Sequence, residues 1–325
     1  MKAQALSLAR RLRWWATRHA PAGAPGAWFE LDDIEELRRL YGLGAGAQGA
    51  AWQPYQHAHM RLPAWFQQGL DPWSPAYAAQ QHRLWAAIAG VPDRPYDAGT
   101  DEADFGWETA DPILRPGFYQ RRDAMAVDSA ADHLLATGML LKHSGLKPGD
   151  WALEYGAGFA QTALALARLD VKVDTIDVSP RFCEFVNRQA AHFQVPLTGF
   201  HGQFGDAPRP GQRYKLIWFY EAFHHCVDFM RVVPKLAELL DEGGRVILGG
   251  EPIVEHEYAA VPYPWGVRLH SEVAVVMRQT RWFELGFSEA FLYELFRRSG
   301  LEGRRVDCEP SLFGRLYVFE PTARR

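Results

Sequence analysis

The stretch WALEYGAGFA at residues 151–160 decides the fold that this sequence predicts. Residues 151–155 form an apolar run of strand length, which indicates a buried β-strand. Glycines at 156 and 158 let the chain turn sharply, and the Ala- and Leu-rich stretch from Gln161 to Leu169 predicts a helix that can lie close to a sheet. Another apolar run follows from Val171 to Asp177. Strand, turn, helix and strand therefore succeed one another as in a parallel β-α-β unit.

The same alternation continues towards the C-terminus. Ser179 and Pro180 predict a helix start, as an N-cap followed by a proline at the first helical position. Further strands are predicted at 196–200, 216–220, 245–249, 306–308 and 316–319, and further helices near 229–240 and at 288–299. Alternating elements of this length predict an α/β fold with a doubly wound, mostly parallel sheet covered by helices on both faces.

The N-terminal third of the chain has a different character. Eight of the 12 tryptophans precede residue 125, and helices are predicted at 32–42, 75–89 and 123–144. Residues 91–117 are acidic and rich in proline and glycine, which indicates a loop or a domain seam. We expect a helical, Trp-rich region at 1–120 that serves acceptor binding or oligomerisation. The core then spans 121–325, with an insertion at about 250–286.

Charge and cysteine usage exclude several classes of protein. The formal net charge is −4 and no basic stripe is present, so a nucleic-acid partner is not expected. Cys183, Cys226 and Cys308 lie far apart, which indicates neither a disulfide framework nor a thiolate zinc site. No apolar run approaches the length of a membrane span. We expect a cytoplasmic protein; whether it forms a homo-oligomer stays open.

The residues that end the predicted strands carry the chemistry, because ligands of open parallel sheets bind outside the carboxyl ends of the strands. Asp177 follows Gly158 by 19 residues, which suits an acid that binds ribose hydroxyls, although it could instead cap the helix at Ser179. A dinucleotide site would need a third glycine where Gln161 stands, and Glu154 would lie unfavourably near a pyrophosphate. The pattern favours a nucleoside cofactor with a cationic end over NAD.

Four segments together resemble the class I S-adenosylmethionine-dependent methyltransferases. LEYGAGFA (153–160) is similar to their motif E/D-x-G-x-G, with Ala160 where glycine is more usual, and VDTIDVSP (173–180) carries the strand-end acid. FYEAFHHCVD (219–228) and DEGGRVILGGEPI (241–253) resemble the fourth strand with its exit and the turn into the fifth. The resemblance covers roughly 125–320 and implies a seven-stranded Rossmann-like sheet with S-adenosyl-L-methionine as cofactor. Lys215 departs from the acid that many members carry before strand four.

The resemblance also implies a set of cofactor-binding residues. They are Glu154, Tyr155, Gly156, Gly158, Asp177, Val178, Gln203, Phe204 and Asp206. The two glycines would pass under the methionine portion and Glu154 would lie near its amino group. Asp177 would hold the ribose hydroxyls, with Val178 beside the adenine. Either Gln203 or Asp206 would bind the adenine amino edge, although Asp206 could equally be an ordinary turn residue.

Four residues at the exit of the fourth strand are the catalytic candidates: Tyr220, Glu221, His224 and His225. Methyl transfer to a hydroxyl requires an in-line approach and the loss of a proton, which a histidine near neutral pKa can accept. We expect His224 or His225 to be that base, with Glu221 orienting it or binding the acceptor. The alternative is that the His-His pair packs the loop or caps the next helix.

Other polar and aromatic residues are candidates for binding the acceptor. Glu251 would line the acceptor pocket, and Tyr263, Trp265 and Trp282 would stack on a flat or saccharide-like molecule. The alternative for the aromatic residues is that they anchor a long connection. Carboxylates and histidines near these strand exits, including His256 and Glu257, lack a metal-binding spacing such as HExxH, so no metal is expected.

The sequence thus predicts methyl transfer from S-adenosylmethionine to a small-molecule or saccharide-like acceptor, on oxygen and with a histidine base. An NAD(P)-dependent oxidoreductase is one alternative, since it would share the sheet and the ribose acid. A non-catalytic protein that keeps the cofactor site to sense the cofactor or to hold a partner is the other.

Overall fold

The computed structural model describes residues 28–42, 50–102, 112–122, 125–254, 261–262 and 264–322. Its contacts divide the chain into two compact units. The accessory unit comprises residues 1–105 and 252–291, and the core unit comprises residues 106–251 and 292–325. This division differs from the predicted one, because the segment predicted as an insertion into the core groups with the N-terminal residues.

Helices and strands are numbered along the chain. The helices are α1 (Ile34–Gly42), α2 (Pro75–Ala89), α3 (Ala98–Asp101), α4 (Ala126–His143), α5 (Gln161–Ala167), α6 (Pro180–Phe193), α7 (Phe229–Leu239), α8 (Ser271–Thr280) and α9 (Glu289–Arg297). The strands are β1 (Trp28–Phe29), β2 (His59–Met60), β3 (Trp151–Tyr155), β4 (Lys172–Asp177), β5 (Leu197–His201), β6 (Tyr214–Tyr220), β7 (Leu240–Gly249), β8 (Ile253–Val254), β9 (Trp265–Val267), β10 (Leu285–Ser288), β11 (Leu301–Val306) and β12 (Leu316–Pro321).

The core unit is built on a seven-stranded sheet in the order β11-β12-β7-β6-β3-β4-β5. The five strands from β7 to β5 are parallel, and β12 pairs antiparallel with both β7 and β11. In the centre, Glu154 of β3 pairs with Thr175 of β4 on one side and with Trp218 of β6 on the other. The predicted α/β fold with a mostly parallel seven-stranded sheet is confirmed.

Apolar side chains from helices and strands form the core on one face of this sheet. Ala163 and Ala167 of α5 pack there with Trp218 and with residues of β3, β4 and β7. Small alanines let α5 approach the sheet, because no long side chain holds the helix away from the strands. α6 begins as predicted, with the hydroxyl of Ser179 accepting the N–H of Phe182 and Pro180 at the first position.

One predicted strand of the core is misplaced. The sequence predicted a strand at 306–308, whereas β11 occupies Leu301–Val306 and pairs with β12. Most of its residues, including Glu302, Arg304 and Arg305, are exposed or partly buried. β11 lies at the edge of the sheet, where charged side chains are tolerated, and its lack of an apolar run hid it from the sequence analysis.

The accessory unit contains helices and two small sheets. α8 packs against α1 and α2, while β8, β10 and β9 form one sheet and β1 and β2 the other. The sequence analysis predicted no element within 250–286. α8 is buried from Ser271 to Met277, so it lacks the polar face from which an amphipathic helix is recognised.

Tryptophans serve as packing residues in the accessory unit. Trp52 and Trp85 are fully buried. The ring of Trp85 stacks on Phe283, with centroids 5.6 Å apart, and its indole N–H lies 3.1 Å from the carbonyl oxygen of Arg281. Two of the tryptophans that marked this region in the sequence therefore belong to its core, while Trp28 is exposed.

Among the described residues, no helix is both long enough and apolar enough to cross a membrane.

Candidate active site

The carboxyl ends of β3 and β6 define the candidate site. The chain runs outward from β3 through β4 to β5 at one edge of the sheet and then returns to place β6 on the other side of β3. Such a reversal of strand order leaves a crevice at the strand ends, where ligands of doubly wound folds bind. The segments after β3, β4, β5 and β6 therefore position the candidate residues.

The turn after β3 requires glycine at its first position. Gly156 has φ of +68° and donates its N–H to the carbonyl oxygen of Ile176 at 2.8 Å. A Cβ at this position would lie 2.6 Å from the Cβ of Ala222, in the loop after β6. Glycine thus allows the two loops to approach more closely than any side chain would.

Asp177 ties this turn to the end of β4. Its Oδ2 accepts the N–H of Gly158 at 2.9 Å, and its Oδ1 accepts the N–H of Ser179 at 2.9 Å. These two bonds hold the carboxylate at the strand end, in the position expected of an acid that binds ribose hydroxyls. Ser179 itself caps α6, and the partly buried Val178 stands between these two residues.

Two glutamines anchor the far end of the same turn. The carbonyl oxygen of Phe159 receives the side-chain amides of Gln189 at 3.0 Å and Gln161 at 3.2 Å. Ala160 then enters α5 with φ of +50°, the left-handed conformation for which glycine is better suited. Gln161 occupies the place of the missing third glycine and helps to hold the turn.

Glu154 is a buried acid immediately behind the glycine turn. Glu154 is only 3% exposed, and its Oε1 accepts a hydrogen bond from the indole N–H of Trp218 at 2.8 Å. Its Oε2 makes no hydrogen bond of normal geometry with the described residues, although the backbone N–H of Ala163 lies close enough to the carboxyl group to lower its pKa. Burial raises the pKa of Glu154 to about 8, and the Trp218 hydrogen bond opposes that rise.

The residues after β5 form a closed turn. Asp206 accepts the N–H of Gln203 at its Oδ2, 2.8 Å away, and donates its own N–H to the carbonyl oxygen of Gln203 at 3.1 Å. The hydroxyl of Tyr155 donates to the carbonyl oxygen of Asp206 at 2.6 Å, and the ring of Phe204 lies edge-on to Tyr155. Asp206 and Tyr155 thus act within the turn and the core, while the side chain of Gln203 is exposed.

Tyr220 and Glu221 follow at the end of β6. The hydroxyl of Tyr220 lies 2.8 Å from Nδ1 of His133 on α4, a residue that the sequence analysis did not single out. Glu221 has φ of +51°, and its N–H donates to the carbonyl oxygen of Gly249 at 2.8 Å. Left-handed backbone at a residue other than glycine costs free energy and is concentrated at functional sites.

Glu251 holds the loop that carries the histidine pair. Its Oε1 accepts the N–H groups of Ala222 and Phe223 at 2.8 Å each, and its Oε2 accepts the N–H of His224 at 3.0 Å. The imidazole Nδ1 of His224 lies 2.8 Å from the same Oε2. An ionised carboxylate only accepts hydrogen bonds, so Nδ1 of His224 is the donor in this contact.

This geometry bears on two of the predicted roles. Glu251 was expected to line the acceptor pocket, but four contacts within the loop engage its carboxylate, and it is 4% exposed. Glu221 was expected to orient the histidine or to bind the acceptor; the contact with Nδ1 of His224 is made by Glu251, so binding the acceptor is the role that stays predicted for Glu221. Burial raises the pKa of Glu251, and the three backbone N–H groups oppose the rise. His225 is partly buried, and its ring centroid lies 4.2 Å from that of His224.

The aromatic acceptor candidates lie in the accessory unit. Trp265 is packed edge-on against Tyr77, with centroids 4.9 Å apart, and donates its indole N–H to the carbonyl oxygen of Pro72. Trp282 is also buried. The alternative that these residues anchor a connection therefore has direct support. Tyr263, His256 and Glu257 lie outside the described residues.

With this geometry in view, comparison with known proteins gives the family. Residues 152–244, from β3 into β7, match the family model described as a methyltransferase domain. This region is a class I S-adenosylmethionine-dependent methyltransferase domain. S-Adenosylmethionine is the cofactor of that family, which decides against the NAD alternative.

A curated methyltransferase from a bacterium is similar in sequence. The 27-O-demethylrifamycin SV methyltransferase of Amycolatopsis mediterranei (strain S699) is 28% identical over 180 residues, which cover 54% of this chain. The alignment spans only 61% of that relative's own length.

Two solved methyltransferases are similar in structure. Magnesium protoporphyrin IX methyltransferase from Synechocystis PCC 6803, solved with bound S-adenosylhomocysteine, is 15% identical, with a TM-score of 0.45 and coverage of 65% of this chain and 91% of that one. A methyltransferase from Aquifex aeolicus is also 15% identical, with a TM-score of 0.43 and coverage of 62% and 98%.

The donor set at the strand ends fits the cofactor of this methyltransferase family. The Oε2 oxygen of Glu154 suits a cationic group such as the cofactor's ammonium, because a buried carboxylate is costly unless it is paired. The glycine turn leaves no side chain between the backbone and a ligand at residues 156 and 158. Asp177 lies at the end of β4, the position from which an acid binds ribose hydroxyls in folds of this kind.

Proposed function

We propose that this protein transfers the methyl group of S-adenosylmethionine to a hydroxyl oxygen of a small organic molecule. The observation that carries the proposal is the contact between Glu251 and Nδ1 of His224, 2.8 Å long, at the exit of β6. It orients the His224 ring by its Nδ1, which leaves Nε2 as the atom proposed to act as the general base.

Residues at different strand ends would hold different parts of the cofactor. Glu154 would hold the ammonium group, the turn at Gly156 and Gly158 would lie next to the methionine portion, and Asp177 would hold the ribose hydroxyls. Val178 flanks the adenine. Gln203 is the better candidate for the adenine amino edge, because Asp206 already closes its own turn.

The bound cofactor supplies a methyl group on a sulfonium, which leaves as a neutral thioether. His224 would accept at Nε2 the proton that the acceptor hydroxyl loses when it is methylated. Glu251 keeps the imidazole in the required tautomer and stabilises the positive charge that develops on it. Its bonds to three successive backbone N–H groups fix the loop, so the base is held in place before the acceptor binds.

The acceptor class rests on similarity and on charge. The curated relative is named for a substrate whose 27-oxygen lacks a methyl group, so a hydroxyl acceptor on a small molecule is the corresponding proposal here. The net charge of −4 agrees with a small or neutral acceptor rather than a nucleic acid.

A transfer assay with methyl-labelled S-adenosylmethionine and a panel of hydroxylated macrocycles, phenols and saccharides tests the proposal. We expect label in at least one hydroxyl compound. His224→Ala should slow turnover by about 10²–10⁴-fold with little change in S-adenosylhomocysteine affinity. His225→Ala is the matched control and should change turnover far less. Wild-type protein that binds S-adenosylhomocysteine but methylates only amines, or nothing, would contradict the proposal.

A further inference from the structure

The contact between His133 and Tyr220 carries an inference about how the site presents its hydroxyl. Tyr220 is the last residue of β6, at the strand end where the ligand is proposed to bind. Its hydroxyl oxygen lies 2.8 Å from Nδ1 of His133 on α4, 87 residues earlier in the chain. His133 is 5% exposed and Tyr220 is partly buried, so the contact lies between the core and the strand end.

Aromatic neighbours fix the plane of the His133 ring. The imidazole stacks on Phe118 with centroids 4.9 Å apart and an interplanar angle of 4°. Phe313 lies against it at 5.3 Å, and both phenylalanines are buried. A ring held between such neighbours keeps Nδ1 directed at Tyr220, because flipping it would require the packing to open.

Packing alone does not explain a histidine at this position. Position 133 belongs to the buried stripe of α4 together with Ser129, Ala136 and Leu140. Leucine or phenylalanine would fill such a position, whereas a buried imidazole costs free energy unless it is hydrogen-bonded. The hydrogen bond to Tyr220 is what the imidazole adds there.

The chemistry of the two groups sets the direction of the bond. A phenol is a stronger acid than a neutral imidazole N–H, and an imidazole nitrogen is a stronger base than a phenol oxygen. The favoured arrangement has the Tyr220 hydroxyl donating to Nδ1 and the histidine hydrogen on Nε2. The phenol oxygen then has lone pairs but no hydrogen to offer to a ligand.

We propose that His133 is a positioning residue that makes the Tyr220 hydroxyl an acceptor facing the cofactor's ammonium group. The inference rests on the proposed function in so far as Tyr220 reaches that ligand. With this arrangement, the site next to the end of β6 should bind cationic or hydrogen-donating groups in preference to hydrogen-bond acceptors. It also gives α4, which lies outside the motifs of the sequence analysis, a part in ligand binding.

Two substitutions at position 133 separate the hydrogen bond from the packing. His133→Phe keeps an aromatic ring against Phe118 but removes the acceptor nitrogen. His133→Asn loses the ring but places an amide oxygen near the position of Nδ1. If His133 only fills space, His133→Phe should weaken S-adenosylhomocysteine binding less than His133→Asn does. If its hydrogen bond matters, as proposed, His133→Asn should weaken binding less.

The first measurement is histidine nitrogen NMR on protein labelled at histidine, with His133→Phe used for assignment. We expect His133 to carry its hydrogen on Nε2 in the wild type and to change its nitrogen shifts in Tyr220→Phe. A hydrogen on Nδ1, or shifts that ignore Tyr220→Phe, would overturn the proposal. This measurement needs no ligand, so it decides the role of His133 even if the proposed function fails.

The second measurement is calorimetric titration with S-adenosylhomocysteine. We expect His133→Phe and Tyr220→Phe each to weaken binding by about threefold to tenfold, the effect of one hydrogen bond, with no further loss in the double variant. His133→Asn should stay within about twofold of wild type. Additive losses, or unchanged affinity in the two phenylalanine variants, would contradict the proposal. No binding by the wild type would instead contradict the proposed function.

Discussion

At the scale of single residues, Glu154 makes cofactor binding depend on pH. Burial raises the pKa of Glu154 to about 8 from an ordinary value of 4.5, so the free protein holds a proton there at neutral pH. An ammonium group is bound better by the carboxylate than by the neutral acid. S-Adenosylhomocysteine affinity should therefore rise from pH 6 to pH 8, by up to about tenfold per unit, and level off above that. Calorimetric titration across this range measures it.

Glu154→Gln is the control for this pH dependence. The variant should bind S-adenosylhomocysteine more weakly and with little change between pH 6 and pH 8. The free energy of unfolding of the ligand-free protein provides a second check. A carboxyl group whose pKa is higher in the folded than in the unfolded state stabilises the fold at a pH below its unfolded pKa. That stabilisation is lost as the pH rises through about 8, the pKa of Glu154 in the folded protein. Wild-type affinity that is independent of pH, or that falls with rising pH, would remove Glu154 from the ligand site.

Several residues of the site could be predicted one by one, and others could not. Asp177 and Glu154 were predicted from local sequence because each lies at or next to the end of an apolar run that precedes a turn, and the structure places both at the carboxyl ends of sheet strands. The contact of Glu251 with His224 spans 27 residues and that of His133 with Tyr220 spans 87. No local pattern marks either pair, because packing of distant elements creates them.

At the scale of elements, the turn after β3 depends on glycine to different degrees at its two positions. A Cβ at Gly156 would lie 2.6 Å from the Cβ of Ala222, whereas a Cβ at Gly158 would meet no atom within 4 Å. Both residues have positive φ, so each alanine costs about 1–2 kcal/mol in backbone strain. Gly156→Ala should cost about 1–3 kcal/mol more, because it also overpacks the contact with the β6 loop.

Urea unfolding of the two alanine variants measures that difference in the free energy of unfolding. Combining Gly156→Ala with Ala222→Gly should restore the free energy of unfolding that is lost through steric overlap. The loss caused by the positive φ at position 156 should remain. Equal losses in Gly156→Ala and Gly158→Ala would show that the close approach of the two loops is not tight.

The elements themselves were predictable where they are apolar and regular. Runs such as 151–155 and 216–220 marked the central strands, since strands buried on both faces need apolar residues throughout. The polar edge strand β11 and the buried helix α8 were misplaced or missed for opposite reasons. β11 lacks an apolar run, and α8 lacks a polar face.

At the scale of the whole molecule, stability should be concentrated in the centre of the core sheet. β3 and β6 are almost wholly buried, whereas β11 at the edge is mostly exposed or partly buried. Hydrogen exchange followed by mass spectrometry should show the amides of 151–155 and 214–220 exchanging more slowly than those of 301–306. Equal protection across these three strands would mean that β11 is covered in solution.

The division of the chain into units was the least predictable feature. Residues 252–291 follow the core strands without a change of composition that would mark a boundary, yet they group with the N-terminal residues. Their contacts with 1–105 are made over a long sequence separation, such as the bond from Val267 to Gln81. A single sequence gives the order of the elements but not which distant segments fold together.

The central claim is that the strand ends of the core unit bind the nucleoside cofactor through Asp177. Calorimetric titration with S-adenosylhomocysteine tests it most directly, on the wild type, on Asp177→Ala and on Ser179→Ala, which disturbs the same loop but keeps the carboxylate. We predict micromolar or tighter binding to the wild type, about fivefold to 150-fold weaker binding to Asp177→Ala, little change in Ser179→Ala, and no binding of NADH. Absent binding, or equal affinity in the wild type and Asp177→Ala, would contradict the account.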